Sequence, residues 1–307
     1  MSHTTIGVDL GGTKVLAAVV DDGQVGESVK RPTPAGGPGA VVDAIAEMVD
    51  ELGGADRLGV GTPGFVDDEG VVGGVPNLVG WEPPVPLAEM LRRANGVERL
   101  AVDNEAKVAA LGEQAGGAAA GHADVVCVFM GTGIGGGLVL DGRLRRGPRG
   151  VAGEIGHLVV EHGGRLCGCG GRGHVEAYAG RAGMEAEARR RHAAGEQTAL
   201  VDLAGYDQMK SSVFARALAR GDAVAEELIS EAVTAVGTAI ASAVMLFDLA
   251  LVVIGGGVAD KLGPELVARV GAESSGLLGE VHAVPVVPAA LGDDAGVVGA
   301  SFLAENA

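Results

Sequence analysis

The sequence predicts an α/β fold of two similar lobes with a cleft between them. Three observations carry that reading. A strand–glycine–strand unit opens the chain at residues 4–20 and recurs at 124–140, and each copy ends in a hairpin signal, Asp22-Gly23 or Asp141-Gly142. The chain has 307 residues, 47% apolar and 21% charged, enough to bury a substantial core in one large domain or two modest ones. Its 54 glycines have no three-residue period, which excludes collagen, and they cluster where a backbone must turn or approach a ligand.

Taken in order, Thr4–Asp9 reads as a strand, 10–13 as a glycine turn, Lys14–Val20 as its antiparallel partner and Gln24–Lys30 as a third strand. A Pro/Gly-rich joint, Pro32–Gly39, precedes an amphipathic helix over Ala40–Leu52. Short strands at Arg57–Val60 and Arg99–Val102 bracket a Pro-rich loop, Pro76–Pro86, and a helix runs over Glu105–Ala118. The pattern then restarts with a strand at Asp124–Met130, a glycine turn at 131–137 and a strand at Leu138–Leu140. Helices are predicted at His174–Ala194, Asp222–Phe247 and Lys261–Gly271, with a strand–glycine unit at Leu249–Gly257. A last helix, Gly296–Asn306, is placed to cross back to the first lobe.

Acidic residues outnumber basic ones 40 to 23, and a net charge of −17 opposes any broad nucleic-acid surface. Three cysteines do not make a disulfide scaffold for a chain this long. Met1–Thr5 has neither the basic nor the apolar region of a secretory signal, so a cytoplasmic location is expected. Thr234–Ile254 approaches membrane-spanning length, but it is Ala-rich, carries Asp248 and turns strand-like at Leu249. The expectation is a buried helix feeding a buried strand, with no membrane partner.

Four groups of residues can carry chemistry. In Asp9-Leu10-Gly11-Gly12-Thr13-Lys14 the glycines let backbone N–H groups face a phosphate, with a hydroxyl from Thr13 and charge from Lys14. Asp9 at the strand end suits a hydrated Mg²⁺. An ordinary hairpin is the structural alternative. Gly131-Thr132-Gly133-Ile134-Gly135-Gly136-Gly137 matches G-x-G-x-x-G, but a strand follows it rather than the helix of a dinucleotide site. Two such loops suit a polyphosphate tail held from both sides of a cleft, and Gly255-Gly256-Gly257 offers a flat wall for a nucleobase or ribose.

His157, Cys167, Cys169 and His174 place four zinc-type ligands within eighteen residues, consistent with a closed, structural Zn²⁺ site. Such a site would fix Glu154, His157 and Glu176 for hydroxyl recognition. Finally, Asp103-Asn104-Glu105 sits at a strand end opening a helix, where a carboxylate serves as base toward a sugar hydroxyl or, equally, Asp103 or Asn104 serves as a helix cap. Asn77, beside the single tryptophan Trp81, is a further polar contact.

In this order these motifs resemble the ROK family of sugar kinases and sugar-responsive repressors, within the actin-like ATPase superfamily. The resemblance runs from Asp9 to Gly257 and implies two actin-like, ribonuclease H-like lobes: 1–120 with the first phosphate loop, the sugar loops and the base, and 121–307 with the second phosphate loop, the zinc site and the adenosine motif. It implies ATP, Mg²⁺ and structural Zn²⁺ as cofactors, and a homo-oligomer, since the family is often dimeric. Asp9, Gly11, Gly12, Thr13, Lys14, Gly131, Thr132, Gly133 and Gly255–Gly257 fall on its nucleotide motifs. The segments 62–67 and 76–81 look like its sugar loops, which places Gly64, Asn77, Asn104, Glu105, Glu154, His157 and Glu176 around the sugar; Pro-Asn-Leu-x-Gly-Trp is similar to the glucokinase branch.

The chain departs from the family twice. His174 replaces a zinc cysteine, and Asn104-Glu105-Ala106-Lys107 stands where the family has Asn-Asp-Ala-Asn. The base is therefore Glu105, one methylene longer, with Asp103 as the alternative. The expected activity is ATP-dependent phosphorylation of a hexose 6-hydroxyl, glucose first, with another hexose, an acylamino sugar or a cyclitol as alternatives. A weakly active sugar sensor is a third reading. The repressor reading needs a DNA-binding extension that nine residues before the first loop cannot hold.

Overall fold

The computed structural model describes residues 3–74, 78–279 and 281–307. The chain forms two compact units, 1–123 with 137–153 and 290–307, and 124–136 with 154–289. A single cut near residue 120 does not describe them, because residues 137–153 and the C-terminal segment both belong to the first unit.

In the first half the elements are β1 (Thr5–Leu10), β2 (Lys14–Asp21), β3 (Gln24–Pro32), α1 (Gly37–Glu51), β4 (Arg57–Thr62), β5 (Phe65–Val66), β6 (Val72–Gly73), α2 (Leu87–Asn95), β7 (Arg99–Asn104) and α3 (Glu105–Gly116). The sheet runs β3-β2-β1-β4-β7, with β1, β4 and β7 parallel and β1, β2 and β3 antiparallel. Ile6, Val8, Leu10, Leu58 and Val60 are fully buried, as expected of strands covered on both faces. On one side Val41, Ile45 and Met48 of α1 and Leu87 and Leu91 of α2 close the core.

The second half contributes β8 (Val125–Met130), β9 (Ile134–Leu140), β10 (Arg143–Leu144), α4 (Val175–Ala179), α5 (Arg181–Ala193), α6 (Ala199–Ala204), α7 (Ser211–Leu218), α8 (Ala223–Phe247), β11 (Leu251–Gly255), α9 (Gly257–Leu262), α10 (Pro264–Leu278), β12 (Val286–Pro288) and α11 (Ala295–Glu305). Its sheet runs β10-β9-β8-β11-β12, the strand order of the first sheet repeated, with β8, β11 and β12 parallel. The glycine turn is shorter than the sequence implies, since Gly135–Gly137 already lie in β9. The single helix expected over 174–194 is two, because Gly180 adopts an extended backbone between α4 and α5.

In α8, Val224, Leu228, Ile229, Val236 and Ile240 are buried, and the helix packs against α4 and α10. It is the one described helix long and apolar enough to cross a membrane, and 67% of its most apolar window is buried within the protein. Asp248 takes the left-handed conformation that ends it before β11. The C-terminal helix α11 packs on β1, β4 and α3 of its own unit. Gly7 and Gly59 permit this: a Cβ at either position would overlap the carbonyl of Val297 or Ala300.

Candidate active site

The parallel register sets the first group of functional residues. Asp9 of β1 is level with Gly61 of β4, which is level with Asp103 of β7, and Thr62 is level with Asn104. Three strands thus end together and deliver Asp9, Asp103, Asn104 and Glu105 to one edge of the sheet. Burial pushes the Asp9 carboxyl up to about 6, with Lys14 opposing and Asp293 adding to the rise. Burial likewise pushes Glu105 up to about 7, reinforced by repulsion from Asp9. A carboxyl that titrates near neutrality at the mouth of a helix is chemically suited to accept a proton.

Asn104 is a helix cap. Its Oδ1 accepts from the N–H groups of Ala106 (3.0 Å) and Lys107 (3.3 Å), and its Nδ2 donates to the carbonyl of Gly64 (3.0 Å). The cap also ties the turn at Gly64, in the first of the two expected sugar loops, to the strand end. Asp103 is fully buried. Its Oδ1 accepts from the Asn104 N–H at 2.7 Å, and its Oδ2 forms an ion pair with Arg146 Nε at 2.8 Å. Burial raises its carboxyl, while Arg146, the Asn104 N–H and Lys107 pull it back. With both oxygens engaged, Asp103 is poorly placed as the alternative base.

The first glycine loop is a hairpin closed by the Gly11 N–H on the Lys14 carbonyl (2.9 Å) and by Thr33, whose Oγ1 donates to the Gly11 carbonyl (2.7 Å). Gly12 and Thr13 are exposed. Lys14 extends its ammonium to Asp293, 2.7 Å away.

The second loop is built differently. Gly131 donates to the Gly133 carbonyl (2.9 Å), and the opening N–H groups of α5 at Arg181 and Ala182 donate to the carbonyls of Gly131 (3.1 Å) and Thr132 (3.0 Å). Arg181 Nη2 also donates to Thr132 Oγ1 at 3.0 Å. Glu176 Oε2 accepts from the Ile134 N–H at 3.0 Å, and its Oε1 accepts from Cys167 Sγ at 3.3 Å. A Cβ at Gly133 would collide with the Glu176 carboxylate, which would have to give up its bond to the Ile134 N–H to make room. Glu176, expected at the sugar, supports the second glycine loop in this structure.

His157, Cys167, Cys169 and His174 converge, with one ligand atom from each lying within 4.8 Å of the others. Cys169 Sγ is 3.3 Å from His174 Nδ1, and the two imidazoles stand edge to face at 5.5 Å. His157 Nδ1 is buried with no hydrogen-bond partner among the described residues. In the metal-free chain burial is the main cause that pushes the Cys167 thiol up to about 12, with its contact to Glu176 adding to it. An orphaned imidazole nitrogen on one of four converging Cys and His residues fits a tetrahedral zinc site, and binding would displace the thiol protons. The residues fit zinc.

Glu154 is half-buried and precedes the short turn 155–157, with its carbonyl bonded to the His157 N–H at 3.0 Å. Gly255 ends β11, Gly256 turns the chain with a positive φ and Gly257 opens α9. Asn77 lies outside the described residues. Arg146, Arg181 and Asp293 had no signal in the sequence, and Lys107 stands out there only as part of a departure from the family pattern. Each finds a partner far along the chain: Arg146 at Asp68, Arg181 at Thr132, Lys107 at Gly150 and Asp293 at Lys14.

A duplicated five-stranded sheet with a glycine loop after the first strand of each copy defines the two-lobed actin-like class of α/β proteins. Within it, the chain matches the ROK family over residues 5–307 and belongs to that family. It is 37% identical over 316 aligned residues to a glucokinase of Streptomyces coelicolor, covering 98% of each chain. It is 34% identical to an N-acetylmannosamine kinase of Escherichia coli, covering 99% of each. The solved structure of a ROK family glucokinase from Streptomyces griseus, in complex with glucose and AMPPNP, is 36% identical and superposes with a TM-score of 0.83, covering 99% of this chain and all of that one.

Proposed function

We propose that this protein is an ATP-dependent hexose kinase that phosphorylates the 6-hydroxyl of glucose. The observation that carries the proposal is Glu105, a carboxyl pushed up to about 7 at the opening of α3, two residues beyond Asp103, the strand position level with Asp9. Full-length likeness to glucokinases, one of them with glucose and an ATP analogue bound, supports the substrate and the donor. Glu105 takes the proton as the hydroxyl oxygen attacks the γ-phosphorus in line, and the bond to the β–γ bridging oxygen breaks to release ADP. Asn104 orients Glu105 by fixing the first turn of α3, and Gly64, held by the same amide, presents its loop to the sugar.

The exposed amides at Gly12 and Thr13 and the loop at Gly131–Gly133 bind the phosphates. Gly255–Gly257 face the adenosine. Asp9 would hold Mg²⁺, whose chemistry is to neutralise the developing phosphate charge; a nearby cation also restores the ionised form that burial disfavours. His157, Cys167, Cys169 and His174 would hold a structural Zn²⁺, which would fix the orientation of Glu154 and His157 toward sugar hydroxyls. The same reading makes the protein a cytoplasmic, homodimeric enzyme of sugar metabolism, with neither nucleic acid nor membrane as a partner.

A coupled assay across hexoses and phosphate donors, with Glu105→Gln beside Asp103→Asn, tests the reading. Glu105→Gln should still bind glucose and lose about 10² to 10⁴ in kcat, the range for removing a general base. Turnover with N-acetylmannosamine but not glucose would move the substrate to the acylamino sugars, the reading favoured by the second relative. Glucose binding without transfer from any donor would make the protein a sensor.

A further inference from the structure

Arg146 belongs to none of the motifs, yet it touches two of the segments on which the proposed reaction depends. Its Nε is 2.8 Å from Asp103 Oδ2, two residues before the base. Its Nη2 donates to the Asp67 carbonyl at 2.9 Å and reaches that of Val66 at 3.5 Å, and its Nη1 is 3.3 Å from Asp68 Oδ1. Asp67 in turn accepts from the N–H groups of Glu69 (3.1 Å) and Val71 (2.8 Å), so the carbonyls that Arg146 reads are on a closed turn. One turn into α3, the fully buried Lys107 donates from Nζ to the Gly150 carbonyl at 2.7 Å. The segment 146–150 is therefore fastened to the strand end before Glu105, to the helix after it and to the loop that begins at Gly64. Asn104 holds that loop at Gly64, and Arg146 holds it at 66–68.

Stability alone is a poor account of this arrangement. A buried carboxylate and a mostly buried guanidinium lose much of their hydration, and an apolar pair of similar volume serves a core as well or better. What the planar guanidinium supplies is geometry, because its two Nη groups hydrogen-bond the 66–68 acceptors while its Nε faces Asp103 as an ion pair. We propose that Arg146 is the positioning residue of the sugar side: through Asp103 and the 66–68 carbonyls it sets the sugar loop in register with Glu105. This rests on the hexose kinase reading above.

Two variants test it, read by hexose Kd in calorimetry, by sugar KM and kcat separately, by nucleotide Kd and by thermal unfolding. Arg146→Lys keeps the charge and loses the fork. It should lower kcat/KM for glucose by at least about tenfold, since a shift near 1 Å costs about a hundredfold, while nucleotide Kd and the unfolding temperature stay as in wild type. The double variant Asp103→Leu/Arg146→Met should unfold at or above the wild-type temperature and still lose glucose affinity and turnover. Arg146→Lys with wild-type glucose Kd, KM and kcat would overturn the proposal, as would a folded double variant with wild-type sugar kinetics. A wild type that binds glucose without transferring phosphate would sink the kinase reading alone, leaving the hexose Kd to report on Arg146. A wild type that binds no hexose would overturn both.

Discussion

The two sheets repeat one strand order with a glycine loop after the first strand of each, yet the two units solve the problem of holding polar groups in opposite ways. The first gathers carboxylates, Asp9, Asp103 and Glu105, at the ends of parallel strands and leaves two of them with strongly raised pKa values. The second gathers soft metal ligands and uses Glu176 to join them to its loop. Their glycine loops differ accordingly. The loop at Gly11 rests on its own hairpin and an exposed ion pair at Lys14, whereas the loop at Gly133 is pinned by a helix start and a carboxylate. A repeated fold therefore fixes where the loops lie and not what holds them.

Metal removal makes the largest difference between the units. Protein purified without added metal should carry near-stoichiometric zinc, and Cys169→Ser should lose it. The unfolding temperature should then fall by about 10 °C, since several kcal/mol of metal binding is folding free energy here. Because Cys167 and Ile134 share Glu176, nucleotide affinity should weaken as well. Metal analysis and calorimetry on the same sample decide it; a zinc-free protein with unchanged unfolding and nucleotide binding would end the metal assignment.

Substitution in the two loops sharpens the contrast. Gly133→Val should weaken nucleotide binding about a hundredfold, through collision with Glu176 as well as loss of backbone approach to phosphate. Glu176→Gln, which keeps the shape but not the charge, should cost about tenfold, in line with a hydrogen bond to a charged group. At Gly11 a Cβ would stand 3.2 Å from the Lys14 carbonyl, a contact that a small shift relieves, so Gly11→Ala should cost less than about threefold. Equal effects at Gly11 and Gly133 would mean that Glu176 does not support its loop.

The difference between the loops was not legible in the sequence, although both loops were. Strand–glycine–strand patterning is local, and so is the spacing of His157, Cys167, Cys169 and His174. What the sequence hid is long-range. Residues 137–153 return to the first unit because Gly137 packs on Lys107 and Ala110, a contact invisible in a strand whose apolar pattern suits either sheet. Lys14 finds Asp293, 279 positions away. The sequence places Asn104 and Glu176 at the sugar, and the structure engages both side chains in holding backbone: one as the cap of α3, the other at Ile134. Local polarity announces a functional residue without saying whether it meets a ligand or supports the group that does.

Acidity is the smallest lever and the one on which the units should move in opposite directions. Glu105 titrates near 7 when folded against an ordinary 4.5, and Asp9 near 6 against 3.8. Between those values the folded chain holds protons that the unfolded chain has released, so raising the pH through this range lowers stability. The His/Cys cluster, loaded with zinc, should behave the other way, since protonation of thiolate and imidazole ligands releases metal as the pH falls. Glu105→Gln removes the charge that burial penalises without changing size. It should therefore unfold a few degrees above wild type at pH 8, where wild-type Glu105 is ionised, and level with it near pH 4.5, where both are neutral in the folded state. In the wild type, kcat/KM should rise with pH through about 7 as the base ionises, and this limb should vanish in the residual activity of Glu105→Gln. Thermal scans at the two pH values and one pH–rate profile suffice. An unfolding difference that does not depend on pH would mean that Glu105 ionises as an ordinary surface carboxylate, and the proton would then need another acceptor.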